Sequence, residues 1–155
     1  MAKPTKPMTR PIGIRPDAYA RTMTLSPRAT AWIYWGATAW LTLELALGGA
    51  MDLVRGRSVV FAGDPVDVVV SSLGYPVYVL LFLGILKLLG AAVIAAPGLR
   101  RLKEWAYAGS FFQIALAAGS HAIAGTDLIN LGYPIVVMML TLISWALRPA
   151  DRVLA

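Results

Sequence analysis

The chain is built from long, continuous apolar runs separated by short polar connections, and the runs lack the alternation or amphipathic spacing that a water-soluble core would impose. Four runs stand out: Ala29 to Met51, Gly74 to Ala96, Glu104 to Ala124 and Gly132 to Leu147. Each holds about 16 to 23 residues, which at about 1.5 Å per residue suits a hydrocarbon layer about 30 Å thick. The pattern predicts an all-α integral membrane protein, a four-helix bundle made of two helical hairpins. Its membrane domain would cover residues 29–148, flanked by tails at 1–28 and 149–155.

The first tail carries Pro4, Pro7, Pro11, Pro16 and Pro27 with six basic residues, a composition that predicts a flexible segment without a core. The first apolar run is of full length and begins near residue 29, so it is expected to stay as a helix rather than be cleaved as a secretory leader.

Charge orients the helices. Lys and Arg number six in residues 1–28, two in 52–73, three in 97–103, none in 125–131 and two after Leu147, while Lys87 lies inside the second run. The positive-inside rule then places both termini in the cytosol, with the chain multi-pass in a bacterial-type cytoplasmic (inner) membrane. The same clustering accounts for the net charge of +6 without a nucleic-acid partner. Trp32, Trp35, Trp105 and Trp145 fall near the expected cytosolic ends, and Tyr75 and Tyr133 near the opposite ones.

A repeat supports the hairpin reading. Leu73-Gly74-Tyr75-Pro76 precedes the second run and Leu131-Gly132-Tyr133-Pro134 the fourth, which predicts a proline in the first helical turn each time. Both hairpins enter from the cytosol, so their symmetry axis would run along the membrane normal, unlike the inverted repeats of many transporters. Residues 52–73 contain Ser58-Val59-Val60-Phe61 and Val66-Asp67-Val68-Val69-Val70, which is apolar for a solvated loop. That loop is expected to fold back onto the bundle or to meet a partner.

The chain has no cysteine and one histidine, His121. Disulfides, thiol relays, covalent haem and cysteine-held iron–sulfur clusters are thereby excluded from this subunit, and neither a bis-histidine haem nor a metal centre is expected.

Ionisable side chains at bilayer depth are costly unless paired or hydrated, which singles out Glu44, Lys87 and His121. Counting helical rise, Glu44 and His121 lie about 22 and 25 Å from the cytosolic ends of their spans, and Lys87 about 13 Å, level with Gln113. A lysine stem reaches several ångströms, so one network of the three is geometrically open. Ser110, Gln113, Ala117, Ser120 and His121 share one face of the third span, while Gly84, Gly90 and Ala91 beside Lys87, and Ala37 and Gly48 beside Glu44, permit close helix approach.

Two readings follow. In one, Glu44 and Lys87 form a buried ion pair, with His121 and Gln113 as hydrogen-bonded glue. In the other, Glu44, Tyr78, Lys87, Gln113, Ser120 and His121 border a small polar pocket for a quinone headgroup or a proton relay, with Tyr78 and His121 donating hydrogen bonds. Ser120 and His121 are adjacent and project about 100° apart, so they form no nucleophile and base pair, and no residue is assigned a catalytic role. Arg100, Arg101 and Lys103 are expected to anchor their loop at anionic headgroups.

Residues 73–121 carry Tyr75-Pro76-x-Tyr78, Leu83-Gly84-x-x-Lys87-x-x-Gly90-Ala91, Pro97-Gly98, Leu102-Lys103-Glu104-Trp105-Ala106-Tyr107-Ala108-Gly109 and Ser120-His121. In that order these pieces resemble the signature region of the DoxX-like family, with the likeness extending over about residues 29–147. The resemblance implies a small four-helix bundle related to the DoxD-type subunits associated with thiosulfate:quinone oxidoreductase and to membrane partners of redox-stress enzymes. The leading reading is a subunit that supports a redox or respiratory assembly, with quinone as the optional contact, and the absence of cysteine and the single histidine leave it no redox centre of its own; no reaction is assigned to the isolated chain. The alternatives are a structural accessory subunit of a larger membrane complex and a small-molecule or proton permease.

Overall fold

The computed structural model describes residues 26–57 and 64–153. The expectations for the N-terminal tail up to residue 25 and for Ser58-Val59-Val60-Phe61 lie outside the described residues.

Among the described residues five α-helices follow one another: α1 (Pro27–Val54), α2 (Val66–Ser72), α3 (Val79–Ala95), α4 (Arg100–Ala124) and α5 (Leu128–Ala146), with a 3-10 turn at Ala150–Arg152. Ser26 starts α1 by accepting a hydrogen bond from the Ala29 N–H at 3.2 Å, with Pro27 in the first turn, where a missing N–H costs nothing. Gly125, at φ 64°, closes α4 in the left-handed conformation that a glycine adopts without strain. Among the described residues two helices, α1 and α5, are long and apolar enough to cross a membrane, and α3 is a shorter apolar helix.

The two copies of the repeat adopt different structures. Gly74, at φ 84°, follows the end of α2, and Tyr75 and Pro76 turn the chain before α3 begins at Val79. Gly132 instead lies within α5, which starts at Leu128 and carries Pro134 inside it. The expected first-turn proline is therefore corrected in both places. Pro76 precedes its helix, and Pro134 deprives the Asn130 carbonyl of its usual helical donor. The 52–73 connection, read as a loop, contains the helix α2, which touches α1.

Among the long helices, α1 packs along α3 and α5, and α4 along α5 and α3. Their shared core is Leu41, Leu45, Ala91, Ile94, Tyr107, Ile114 and Val137. Polar groups are buried beside it: Ser144 Oγ lies 2.7 Å from Thr38 Oγ1 and 2.8 Å from the Tyr107 hydroxyl, tying α5 to α1 and α4. Meanwhile Trp32, Phe82, Phe112, Ile123 and Leu128 face outward on α1, α3, α4 and α5. Water penalises such a surface and hydrocarbon does not.

Helices α1 and α3 cross closely at Gly49 and Gly84. A Cβ on Gly49 would stand 2.9 Å from the Gly84 carbonyl oxygen, and a Cβ on Gly84 the same distance from the Gly49 carbonyl oxygen. Backbone cannot swing aside as a side chain can, so Gly49→Ala is expected to force the helices apart at a cost of about 1–3 kcal/mol. Gly109→Ala meets nothing within 4 Å and should be neutral or slightly stabilising. Thermal unfolding of the two purified variants in detergent checks the contrast.

Candidate functional site

Between the helices lies a cavity of about 190 Å³. Its walls are mainly aliphatic, among them Leu45, Val69, Leu80, Leu83, Ile114 and Val137, and α2 contributes Val66, Val69 and Val70. Polar groups enter from every long helix: Glu44 and Asp52 from α1, Lys87 from α3, Gln113, Ser120 and His121 from α4, and Tyr133 from α5. Tyr75, in the turn before α3, completes the set.

Most of these groups hold one another. Lys87 Nζ donates to Asp52 Oδ2 at 2.7 Å, across α3 and α1. Tyr133 donates its hydroxyl proton to Glu44 Oε2 across α5 and α1, and the Tyr75 hydroxyl lies 2.8 Å from Ser120 Oγ. His121 is buried, with Nδ1 3.0 Å from Thr126 Oγ1. Gly48 lies beside both Glu44 and Lys87: a Cβ there would sit 3.6 Å from Glu44 Oε1 and from Lys87 Nζ, an ordinary contact distance. In a low dielectric such pairings are what allow charged groups to remain at this depth.

Of the six expected pocket residues, Glu44, Lys87, Gln113, Ser120 and His121 come together on this cavity. Tyr78 does not; it is the residue before α3, 66% exposed and off the cavity wall. The expected Glu44–Lys87 ion pair is replaced by Lys87–Asp52, with Glu44 held by Tyr133 instead. Sequence reasoning passed over Asp52, Tyr75 and Tyr133. Asp52 is two helical turns beyond Glu44 on nearly the same face, and the two tyrosines occupy the same position of the Leu-Gly-Tyr-Pro repeat, so both signals were present.

At the end where α3 stops and α4 starts, Arg100 and Arg101 are exposed, in keeping with a surface role, but Lys103 is only 1% exposed. Its ammonium donates to the carbonyls of Val93, Ile94 and Ala96 at 2.5–2.7 Å, the last turn of α3. Lys103 is thus a helix cap. Arg152 also donates to the Ile94 carbonyl, at 3.3 Å, and lies over the Trp35 ring at 4.8 Å, while Arg148 pairs with Glu104 at 2.8 Å. The segment after α5 is thereby fastened to the ends of α1, α3 and α4.

In comparisons with known proteins, the model of the DoxX-like family matches residues 36–144, a stretch that contains every residue of the cavity wall. No curated protein and no solved structure matches the chain.

Proposed function

The chain belongs to the DoxX-like family, and from that premise we propose that it is a four-span subunit of a bacterial-type cytoplasmic membrane that holds one oxygenated ring, of quinone type, for a redox or respiratory assembly. The spans form two hairpins with both termini in the cytosol. In this reading the chain supplies no redox centre and acts as an accessory that binds and positions the ring.

The observation that carries the proposal is the cavity, where all four long helices bring at least one polar side chain to a mostly aliphatic space of about 190 Å³. An apolar cavity of about 150 Å³ is enough to hold benzene. A substituted ring therefore fits, while an isoprenoid tail would lie outside among the lipid chains. The orientation is supported by the basic residues Arg100, Arg101, Arg148 and Arg152, which stand at one end of the helices beside Trp35, Trp105 and Trp145.

A second reading has its own support. Lys87 with Asp52, Tyr133 with Glu44, and Tyr75 with Ser120 are complete pairs without a ligand, as interhelical glue in a purely structural subunit would be.

Isolation of the tagged protein from native membranes in mild detergent, with mass spectrometry of co-purifying proteins and extracted lipids, separates the two. The ring reading expects quinone enriched over the bulk membrane and an oxidoreductase recovered with the chain. Ala117 lines the cavity, so Ala117→Phe should fill it, reducing the quinone at least about tenfold while leaving the fold intact. Recovery in a complex with no redox enzyme and no enriched quinone would overturn the ring reading in favour of the structural one.

A further inference from the structure

Among the polar side chains on the cavity wall, one differs from the rest. The ionisable and hydroxyl groups have partners within the protein, whereas the Gln113 amide makes no hydrogen bond among the described residues. It sits on α4 next to the core residue Ile114 and one turn before Ala117, both of which also line the cavity. An unpaired amide at this depth is unfavourable, and a ligand that satisfies it removes that cost.

The pairing of the charges defines what such a ligand is. Lys87 and Asp52 neutralise each other, and Glu44 is engaged by Tyr133, so among the described residues the cavity wall has no unmatched lysine or arginine to receive an anion. An amide is different from these groups because it offers both a donor and an acceptor and reverses them by turning about its last bond. It meets a carbonyl oxygen with its N–H and a hydroxyl with its oxygen.

Resting on the proposal that the cavity holds a ring, we infer that Gln113 is the specificity-determining residue, the one that recognises the ring's oxygen substituent, and that the ligand is a neutral ring bearing a carbonyl or hydroxyl group. The remaining polar pairs then keep the cavity open and in register, and the aliphatic wall selects for ring size. The carbonyl and the hydroxyl forms share this chemistry, and the choice between them lies in which half of the amide is used.

The test uses the full chain purified in detergent and three probes of one shape: tetramethyl-benzoquinone, which has no open ring position for lysine to attack, tetramethyl-hydroquinone, and tetramethylbenzene. Binding is followed by equilibrium dialysis, and the unliganded protein by thermal unfolding. The wild-type protein should bind an oxygenated ring more tightly than the hydrocarbon. Gln113→Met keeps the side-chain shape, and it should weaken the oxygenated ring about tenfold or more while leaving the hydrocarbon within about twofold. Because Gln113 makes no hydrogen bond among the described residues, the unliganded melting temperature should not fall, a result that a structural role would not give. Preference for the quinone assigns the amide N–H as the working group, and preference for the hydroquinone assigns its oxygen. Unchanged binding of oxygenated rings by Gln113→Met would overturn the role of Gln113 and leave the ring site standing. Failure of the wild type to bind any ring would remove the site itself.

Discussion

Replacing Lys103 by Met should cost about 3–5 kcal/mol and leave the protein prone to aggregation on extraction. Three carbonyls at the end of α3, those of Val93, Ile94 and Ala96, receive their donors from one ammonium group buried to 1% exposure. Methionine fills the space but donates nothing, so carbonyls buried at a helix end lose the partners that water would otherwise supply. Lys103 precedes the apolar part of α4. Burial, and then the charges of Arg152 and Arg148, press its pKa below the ordinary lysine value, while the ring of carbonyls favours the protonated form that has three hydrogens to give. Lys103→Arg should rescue poorly, because a planar guanidinium does not aim three N–H groups from one point. Arg101→Met, at an exposed neighbour, is the control and should change stability by less than about 0.5 kcal/mol. Thermal unfolding in detergent, followed by circular dichroism, reads all three. Equal melting temperatures for Lys103→Met and Arg101→Met would remove the cap from the account.

Lys87→Met should be of similar size, about 3–5 kcal/mol, since it strands Asp52 without its cation. The Asp52 side chain is 6% exposed and that of Lys87 18%, so little solvent is present to replace the lost partner. The double replacement Lys87→Met with Asp52→Asn removes both charges and should recover most of the loss. The excess of the single-variant costs over the double-variant cost measures the coupling. If the pair instead couples Lys87 to Glu44, then Lys87→Met with Glu44→Gln would be the combination that recovers, and the assignment of partners would fall. The loss should also reach the cavity, because Lys87 stands on its wall beside Gly48 and Glu44. Ring binding measured in the same preparations should weaken in the single variant and return in part in the double one.

Much of the cavity was legible before any tertiary contact was known. Polar residues inside apolar helices are few, and hydrocarbon forces them inward, so Glu44, Lys87, Gln113, Ser120 and His121 were identifiable from depth and helix face alone. Partner choice was not. Glu44 and Asp52 lie two turns apart on α1, about 12 Å along the axis, and depth arithmetic from the expected spans put Glu44 about 9 Å and Asp52 about 21 Å from the level of Lys87, so it favoured Glu44. The packing of α3 against Gly49 settles it, since that close crossing sets the axial offset of α3 relative to α1. Tyr78 failed for a related reason. Tyr78 was placed inside a span expected to start at residue 74, whereas Gly74 turns the chain and α3 begins only at Val79. Lys103 read as one of three loop cations, and only the meeting of α3 and α4 turned it inward.

The sequence by itself determined the helical class, the apolar surfaces, the family and the small set of polar residues, because hydrophobic pattern and helical spacing are properties of each segment alone. The tertiary structure decided which acid holds Lys87, which tyrosine holds Glu44, why Gln113 is left over, and that Lys103 caps α3. Those outcomes depend on distances between side chains of different helices, and in a low-dielectric interior an ångström or two separates a formed pair from a stranded charge.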